Sequence, residues 1–426
     1  MADLSHRKAE AKVQFLDENG KPLANAKVQY NQTNHEFLFG YGAFDFLSYA
    51  MADSFDPKQI PEQIQRPQDL DPNWNPKQFF ETRVNKWLEV FNYGTLPFYW
   101  GGFEKTEGNP NTAGLMKAAK IMKEHNVKVK GHPLCWHTGC AEWLLKYDNA
   151  TILEKQLGRI QREVEGFKGL IDMWDVINEV VIMPVFDRYD NAITRLCKEH
   201  GQVGLVKKVF DQAYKYNPDG TFLINDFNMS EKYAELIEGC LDAGVPITAI
   251  GLQSHQHQGY WGKDKIEEVL ERFEKFNLPI HFTENTIVSG PKVPPEITDL
   301  NDWHYEDGAS TPELEEQQKN QLEEWYRTIF EAHPLVKAIT GWDFTDGMWL
   351  NAPSGLLHKD GEEKPAYKML KKLIKEEWHS AGEVTTDANG YAVLSGFKGE
   401  YEVCTAGKKG KVVLCDECKE SKINLK

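Results

Sequence analysis

Two glutamates, each at the end of an apolar run, are the residues of this sequence best suited to chemistry. Glu179 ends the run WDVINE, and Glu284 ends the run HFTE. Two carboxyl groups in one cleft can cleave a glycosidic bond, because one protonates the leaving oxygen while the other attacks the sugar or activates water. Any single glutamate is a weak indication in a chain with 65 Asp and Glu, since most acidic side chains are solvated at the surface. The position of both residues at apolar run ends makes the pair more specific.

Eight short apolar runs alternate with amphipathic stretches of helical period, and most of the runs end in polar or aromatic residues. The runs cover residues 37–44, 90–100, 127–136, 171–180, 221–228, 247–255, 278–285 and 336–344. Buried parallel strands are typically near-continuous apolar runs, and eight strand–helix alternations favour a closed barrel over an open sheet. We therefore predict an α/β fold, a TIM (β/α)8 barrel. Strands four and seven then face each other across the mouth and bring both carboxyl groups into one cleft.

The two chain ends have a different pattern, the alternation of half-buried strands around Gly-containing turns. Two strands alone are not stable, so we expect both ends to pair into one small accessory β-sandwich beside the barrel. The predicted domains are residues 1–36 for the N-terminal strands, 37–378 for the catalytic barrel and 379–426 for the C-terminal strands.

The segments WDVINE, LPIHFTE, GLQSH, GHPLCWH, INDFN and KPAY resemble the motifs of glycoside hydrolase family ten, the endo-1,4-β-xylanase family. They occur in the family's order over roughly residues 37–375. The resemblance implies that Glu179 is the general acid/base and Glu284 the nucleophile of a retaining, double-displacement mechanism. For retention, the two carboxyl groups should lie about 5–5.5 Å apart.

The resemblance also implies a set of sugar-binding residues. Asn178 would hydrogen-bond the 2-hydroxyl of the reacting sugar, and Gln253 and His255 would follow strand six, with His255 beside the nucleophile. The remaining members of the set are His132, Trp136 and His137 after strand three and Trp342 and Trp349 after strand eight. An isolated Trp more often packs in a core, but placement at strand C-terminal ends favours a role in binding.

Strand two departs from the family pattern. Members usually carry a Glu-Asn pair and a Lys followed by Trp here, whereas this chain has TLPFYWGGFE over residues 95–104. The Gln of the usual His-Ser-Gln run after strand three is also missing. A site that loses its hydroxyl-binding donors loses discrimination, so we expect a β-glycosidase whose sugar could be xylan or another β-linked glycan. Tyr99 and Trp100 are the candidates for stacking on it.

Composition limits the partners. The net charge of −16 argues against nucleic acid and anionic membranes, which attract basic proteins. The chain has no apolar run of about 18 residues that could span a membrane, and its first residues lack the apolar core of a signal peptide. The family resemblance favours a secreted or periplasmic location. We expect a monomer that binds a β-linked glycan.

We expect no cofactor and no metal. His255 and His257 could form a metal pair, but in metal-dependent barrel hydrolases such a pair commonly opens strand one rather than following strand six. Cys415 and Cys418 lack the second pair typical of a zinc site, so we expect free thiols or one disulfide among them and Cys404. The nearby acids Asp226, Asp343 and Asp346 are interpreted as structural or loop-orienting.

Three further functions stay open beside the leading hypothesis, which is a retaining endo-1,4-β-xylanase-like hydrolase. They are an exo-acting or narrow-specificity β-glycosidase on a non-xylan glycoside, a non-catalytic glycan-binding barrel and, more remotely, a metal-dependent barrel hydrolase.

Overall fold

A computed structural model of the protein describes residues 3–54 and 75–426. The described residues form fifteen strands: β1 (Lys8–Leu16), β2 (Lys27–His35), β3 (Leu38–Gly42), β4 (Tyr93–Pro97), β5 (Lys128–His132), β6 (Met173–Asn178), β7 (Thr221–Asp226), β8 (Ala249–His255), β9 (Ile280–Thr286), β10 (Val336–Gly341), β11 (Ala381–Thr385), β12 (Tyr391–Phe397), β13 (Gly399–Thr405), β14 (Lys408–Leu414) and β15 (Glu420–Asn424).

The strands β3 to β10 close into a parallel barrel in chain order, with β10 pairing β3. Seven of them lie within a predicted apolar run, and β9 extends one residue beyond its run, to Thr286. The predicted TIM barrel is therefore confirmed. Their buried side chains, among them Val129, Ile177, Ile224 and Phe282, belong to one large apolar core. Because all eight strands run in the same direction, their C-terminal ends meet at one face, where the site lies.

Helices surround the barrel and bury one apolar stripe each against it. They are α1 (Phe44–Met51), α2 (Pro76–Leu88), α3 (Trp100–Phe103), α4 (Thr112–Glu124), α5 (Asn149–Gly166), α6 (Ala192–His200), α7 (Gln202–Tyr216), α8 (Glu231–Asp242), α9 (Gly262–Glu274), α10 (Pro312–Ala332) and α11 (Pro365–Lys372). In α7, for example, Leu205, Val206, Val209, Phe210 and Ala213 are buried, which is the spacing of one helix face. None of the helices in the described residues combines the length and apolarity needed to cross a bilayer.

Both chain ends contribute to two further sheets, as predicted. One has the order β12-β1-β15 and the other β11-β2-β13-β14, so each contains strands from the N-terminal and the C-terminal segment. The sheets pack on a common apolar core that includes Phe15, Leu394 and Tyr401. The accessory β-sandwich from both ends is therefore confirmed. Cys415 and Cys418 form a disulfide before β15, and Cys404 is free.

Arg7, just before β1, ties this sandwich to the barrel. Its guanidinium donates to the carbonyl oxygens of Phe330, His333 and Val336 at 2.7–2.9 Å, which supplies donors that the last turn of α10 lacks. The domain boundaries at 36/37 and 378/379 stay a prediction. Residues 1, 2 and 55–74, which fall in the first two predicted segments, lie outside the described residues.

Candidate active site

Glu179 and Glu284 lie at the same end of the barrel, at the ends of strands that β7 and β8 separate. Glu284 lies within β9 and is only 4% exposed. Glu179 follows β6 directly and is partly exposed. Its φ of 57° is unusual for a residue with a side chain and is typical of functional positions that the surrounding structure holds in place. Its backbone N–H donates to the carbonyl oxygen of Asn225 at 2.8 Å.

A chain of side-chain amides connects the two carboxyl groups. Gln253 Nε2 donates to Glu179 Oε1 at 3.3 Å and to Asn178 Oδ1 at 3.1 Å. Asn225 Nδ2 donates to Asn178 Oδ1 and to Glu284 Oε1, each at 2.7 Å. The chain leaves Asn178 Nδ2 buried with no hydrogen-bond partner among the described residues, and this amide is free to donate to a bound hydroxyl.

Glu284 lies among donors and positive charge. His255 Nε2 lies 3.0 Å from its Oε2, and His132 Nδ1 lies 3.8 Å from its Oε1. Burial by itself would raise the pKa of Glu284, but His132, the His255 hydrogen bond and the Lys130 ammonium outweigh it and hold the pKa below its usual value. The carboxyl group is therefore ionised in the pH range where most enzymes work, as a nucleophile must be.

Glu179 has the opposite shift. Desolvation by the surrounding protein and the negative charge of Glu284 raise its pKa to about 8, although hydrogen bonds from Trp136 and Gln253 oppose the rise. The Trp136 indole N–H donates to Glu179 Oε2 at 2.8 Å. At neutral pH this carboxyl group carries a proton that it can donate, which is the requirement for a general acid.

A buried cluster beneath the pair orients His132. Its Nδ1 lies 2.7 Å from Asp175 Oδ2, and the fully buried ammonium of Lys130 pairs with the same carboxylate. Burial would raise the pKa of Asp175, but Lys130 and His132 keep it below its usual value. Lys130 and Asp175 were not among the predicted site residues, although both stand in the quoted or adjoining strand motifs.

Aromatic rings line the site on the side of β10 and β5. Trp342 packs edge-on against His132 with ring centroids 5.3 Å apart, and it contacts His255 at 6.0 Å. Trp349 lies 4.7 Å from the ring of His255, centroid to centroid. Trp136, beside Glu179, completes this group. The predicted stacking of sugar on these rings stays a prediction.

The strand-two neighbours Tyr99 and Trp100 face different environments. Tyr99 lies 5.7 Å from both His132 and Trp136, centroid to centroid. The pKa of Tyr99 is raised, first by burial and then by the charges of Glu284 and Glu179. Trp100 is 5% exposed and donates its indole N–H to Glu104, with the Arg159 guanidinium over its ring. Of the two, only Tyr99 borders Glu179 and Glu284, whereas Arg159 covers the ring of Trp100. The predicted stacking of a sugar on Tyr99 or Trp100 stays a prediction.

Two other predicted or considered histidines lie farther out. His137 is buried against Phe186, with ring centroids 4.5 Å apart, and burial lowers its pKa to about 4. His257 lies 3.3 Å from the Tyr305 hydroxyl, and burial lowers its pKa to about 3. In the described ranges no three His, Cys, Asp or Glu side chains converge as metal ligands would.

The acids near the site hold loops in place. Asp226 accepts hydrogen bonds from the backbone N–H groups of Val181 and Asn228, and burial raises its pKa to about 7. Asp343 accepts from the Ser354 hydroxyl at 2.7 Å. Asp346 pairs with Lys364 at 3.0 Å.

Asn225 is a third residue of the candidate site that the sequence reasoning missed. It contacts both Asn178 and Glu284, and its Oδ1 accepts from the Thr283 hydroxyl at 2.6 Å. The available indication was its place at the end of the fifth barrel strand in the motif INDFN, directly before the considered Asp226.

Comparison with known proteins places this site in a family. The family model described as glycosyl hydrolase family 10 matches residues 98–373. The solved structure of a GH10 endoxylanase retrieved from sugarcane soil metagenome superposes with a TM-score of 0.63 at 21% identity, over 79% of this chain and 97% of that chain. At that identity the likeness shows the fold.

Two relatives cover different parts of the chain. An endo-1,4-β-xylanase/feruloyl esterase of Xylanibacter ruminicola is 24% identical over 290 residues, which is 61% of this chain and 39% of the relative. The anti-sigma-I factor RsgI6 of Acetivibrio thermocellus is 23% identical over 419 residues, which is 95% of this chain and 46% of the relative. The chain thus spans less than half the length of either relative. Because the family model covers well over half of the sequence and the barrel has the matching fold, the chain belongs to glycosyl hydrolase family 10.

Proposed function

We propose that the protein is a retaining β-glycosidase in which Glu179 is the general acid/base and Glu284 the nucleophile. The observation that carries the proposal is the opposite shift of two linked carboxyl groups. The pKa of Glu179 is raised to about 8, and that of Glu284 is lowered. Environments that separate the pKa values of two neighbouring acids are the mark of an acid and a base in one reaction.

In the first step Glu284 attacks the anomeric carbon while Glu179 gives its proton to the glycosidic oxygen. The carbon–oxygen bond breaks, the leaving group departs as an alcohol, and the sugar is held as an ester of Glu284. Asn225 and His255 hold the attacking carboxylate in place. The free amide hydrogens of Asn178 hydrogen-bond the sugar.

In the second step the charge of Glu284 is absent because it is esterified. The largest charge that raised the pKa of Glu179 is therefore gone, and the Glu179 carboxylate can take a proton from water. The resulting hydroxide attacks the anomeric carbon, and Glu284 leaves as a carboxylate. Both residues return to their initial states, and the anomeric configuration is retained.

The proposed substrate is a β-1,4-linked glycan of the xylan type. This proposal rests on the relative named endo-1,4-β-xylanase/feruloyl esterase and on the motifs that surround the reacting sugar. The rebuilt strand-two region, with Tyr99 in place of the usual polar donors, leaves other β-linked sugars open. We propose that the protein acts as a monomer and, with a net charge of −16, does not bind nucleic acid.

Matched variants test the proposal. Glu284→Ala is expected to abolish hydrolysis of aryl β-glycosides while the circular dichroism spectrum stays that of the wild type. Glu179→Ala should lose most activity on substrates with poor leaving groups, retain part of it on an activated aryl glycoside, and be rescued by azide. Unchanged hydrolysis in Glu284→Ala would refute the assignment.

A non-catalytic glycan-binding barrel is the second candidate. The alignment with the anti-sigma-I factor RsgI6 covers 95% of this chain, which includes strands of the accessory sandwich as well as the barrel. If this candidate is correct, the wild-type protein binds oligosaccharides but does not hydrolyse an activated aryl β-glycoside. The retained carboxyl pair favours hydrolysis.

A further inference from the structure

The loop after β9, residues 287–311, is a folded element rather than a loose connection. Val293 and Tyr305 are buried in a small apolar cluster of their own with Ala352. The loop is also fixed to the end of β8. The Val293 N–H donates to the His257 carbonyl oxygen at 2.9 Å, and Gln258 Nε2 donates to two backbone carbonyl oxygens of the loop. We call residues 287–311 the β9 loop.

Arg188, in the loop after β6, joins that segment to the β9 loop. Its guanidinium pairs with the carboxylates of Asp299 and Asp302. From the other side, Trp349 Nε1 donates to Asn301 Oδ1 at 3.2 Å. The short turn Asp299–Asp302 is therefore held both by the segment that follows Glu179 and by the loop that follows β10.

These ion pairs connect the loops that follow β6 and β9, two strands that are not neighbours in the barrel. The barrel order places β7 and β8 between β6 and β9, so the link from Arg188 to the β9 loop spans the β7–β8 side of the cleft mouth. In the proposed reaction the leaving group lies over Glu179, because Glu179 protonates its oxygen. The residues that follow Glu179 therefore border the leaving-group side of the cleft.

We infer that Arg188, Asp299 and Asp302 close the leaving-group end of the cleft and make it selective for glycosides with a short leaving group. A long glycan cut at an internal bond needs an open groove on both sides of the catalytic pair, and this bridge obstructs one of them. The inference rests on the proposed function. Arg188 is 44% exposed, so added salt screens its ion pairs.

Two probes separate a short from a long leaving group. They are p-nitrophenyl β-xylobioside, with a small aryl group, and soluble β-1,4-xylan. In Arg188→Ala, the kcat/KM for the polymer divided by that for the aryl glycoside should rise about fivefold, a factor that loss of exposed ion pairs can supply. In the wild type, the ratio should rise with added NaCl as the ion pairs are screened, and Arg188→Ala should lack this salt response.

Arg195→Ala is the matched control. Arg195 pairs with Asp190 close by in the same part of the chain, and this ion pair does not reach the β9 loop. Its substrate ratio should equal that of the wild type. A ratio that is unchanged in Arg188→Ala while the wild type hydrolyses both probes would overturn the inference and leave the proposed function intact.

Binding measurements on an inactive variant test the bridge separately from the proposed hydrolysis. In a Glu284→Ala background, calorimetry with xylohexaose and xylobiose should show that Arg188→Ala raises affinity for the hexasaccharide alone. A wild type that hydrolyses neither probe would refute the proposed function, yet this binding comparison would still test the bridge. Equal changes for both oligosaccharides would contradict it.

Discussion

Asn225 Nδ2 donates a hydrogen bond to Glu284 Oε1 at 2.7 Å, so a residue of the fifth barrel strand holds the proposed nucleophile of the seventh. The same amide nitrogen also donates to Asn178. A donor fixed in this way favours the charged form of the carboxyl group and fixes its direction.

Asn225→Ala is expected to lower kcat on the order of 10- to 100-fold, the usual cost of losing a residue that orients a catalytic group. Because the lost hydrogen bond favoured the carboxylate, the pKa of Glu284 should rise and the acid limb of the pH–activity profile should move to higher pH. Asn285→Ala is the matched control, since Asn285 is equally buried but accepts from Gln256. An unshifted acid limb in Asn225→Ala would contradict the role.

Trp136→Phe keeps an aromatic ring beside Glu179 but removes the indole N–H that donates to its carboxylate. That hydrogen bond lowers the pKa of Glu179. Its loss should raise the pKa further above 8 and move the basic limb of the kcat/KM profile to higher pH. Trp143→Phe, which removes an indole N–H bonded to a distant backbone carbonyl, should leave the limb in place. A basic limb that moves down in Trp136→Phe would count against Glu179 as the acid.

The neighbours Tyr99 and Trp100 should respond differently to truncation. Tyr99 borders His132 and Trp136, so Tyr99→Ala is expected to lower kcat/KM about tenfold, with a small effect on stability. Trp100 is buried against Arg159 and Glu104, and Trp100→Ala should lower the free energy of unfolding by about 3–5 kcal/mol. Steady-state kinetics and urea unfolding of both variants test this difference. If Trp100 were the sugar-binding residue, Trp100→Ala would instead lower kcat/KM and leave the free energy of unfolding nearly unchanged.

Asp343 makes stability depend on pH. Burial raises its pKa to about 7 from 3.8. Below pH 3.8 the group is protonated in both states, and between 3.8 and 7 only the folded state keeps the proton. Folding therefore takes up a proton in that window, and the folded state loses stability as the pH rises through it. Asp343→Asn should show a smaller loss of unfolding free energy between pH 4 and 7 in urea titrations. An equal pH dependence in both proteins would refute this origin.

The fold could be predicted because its barrel strands are buried on both faces and therefore lie in mostly apolar runs. The residues at which the strands begin and end could not be predicted, since a run such as 90–100 contains only the five-residue strand Tyr93–Pro97. Glu179 and Glu284 were proposed as the catalytic pair from the two motifs that contain them, and this assignment stays a prediction. The roles assigned to the surrounding residues stay predictions.

The remaining site residues were hidden because their importance arises from contacts between distant positions. Asn225 contacts a residue 59 positions away. Lys130 is one of two lysines in β5, and the sequence does not show that it is the buried one. Arg188 and its partners on the β9 loop are separated by more than 100 positions. Ion pairs between loops leave no periodicity in the sequence, so only the structure brings these residues together.

The central claim is that Glu284 forms a covalent bond to the sugar while Glu179 supplies and removes the proton. Incubation with a 2-deoxy-2-fluoro β-xyloside that carries an activated leaving group should trap this ester, because fluorine slows its hydrolysis. Mass spectrometry of the digested protein should then find the added fluoroglycosyl mass on the peptide that contains Glu284. A label on a different carboxyl group, with Glu284 unmodified and the enzyme inactivated, would contradict the account.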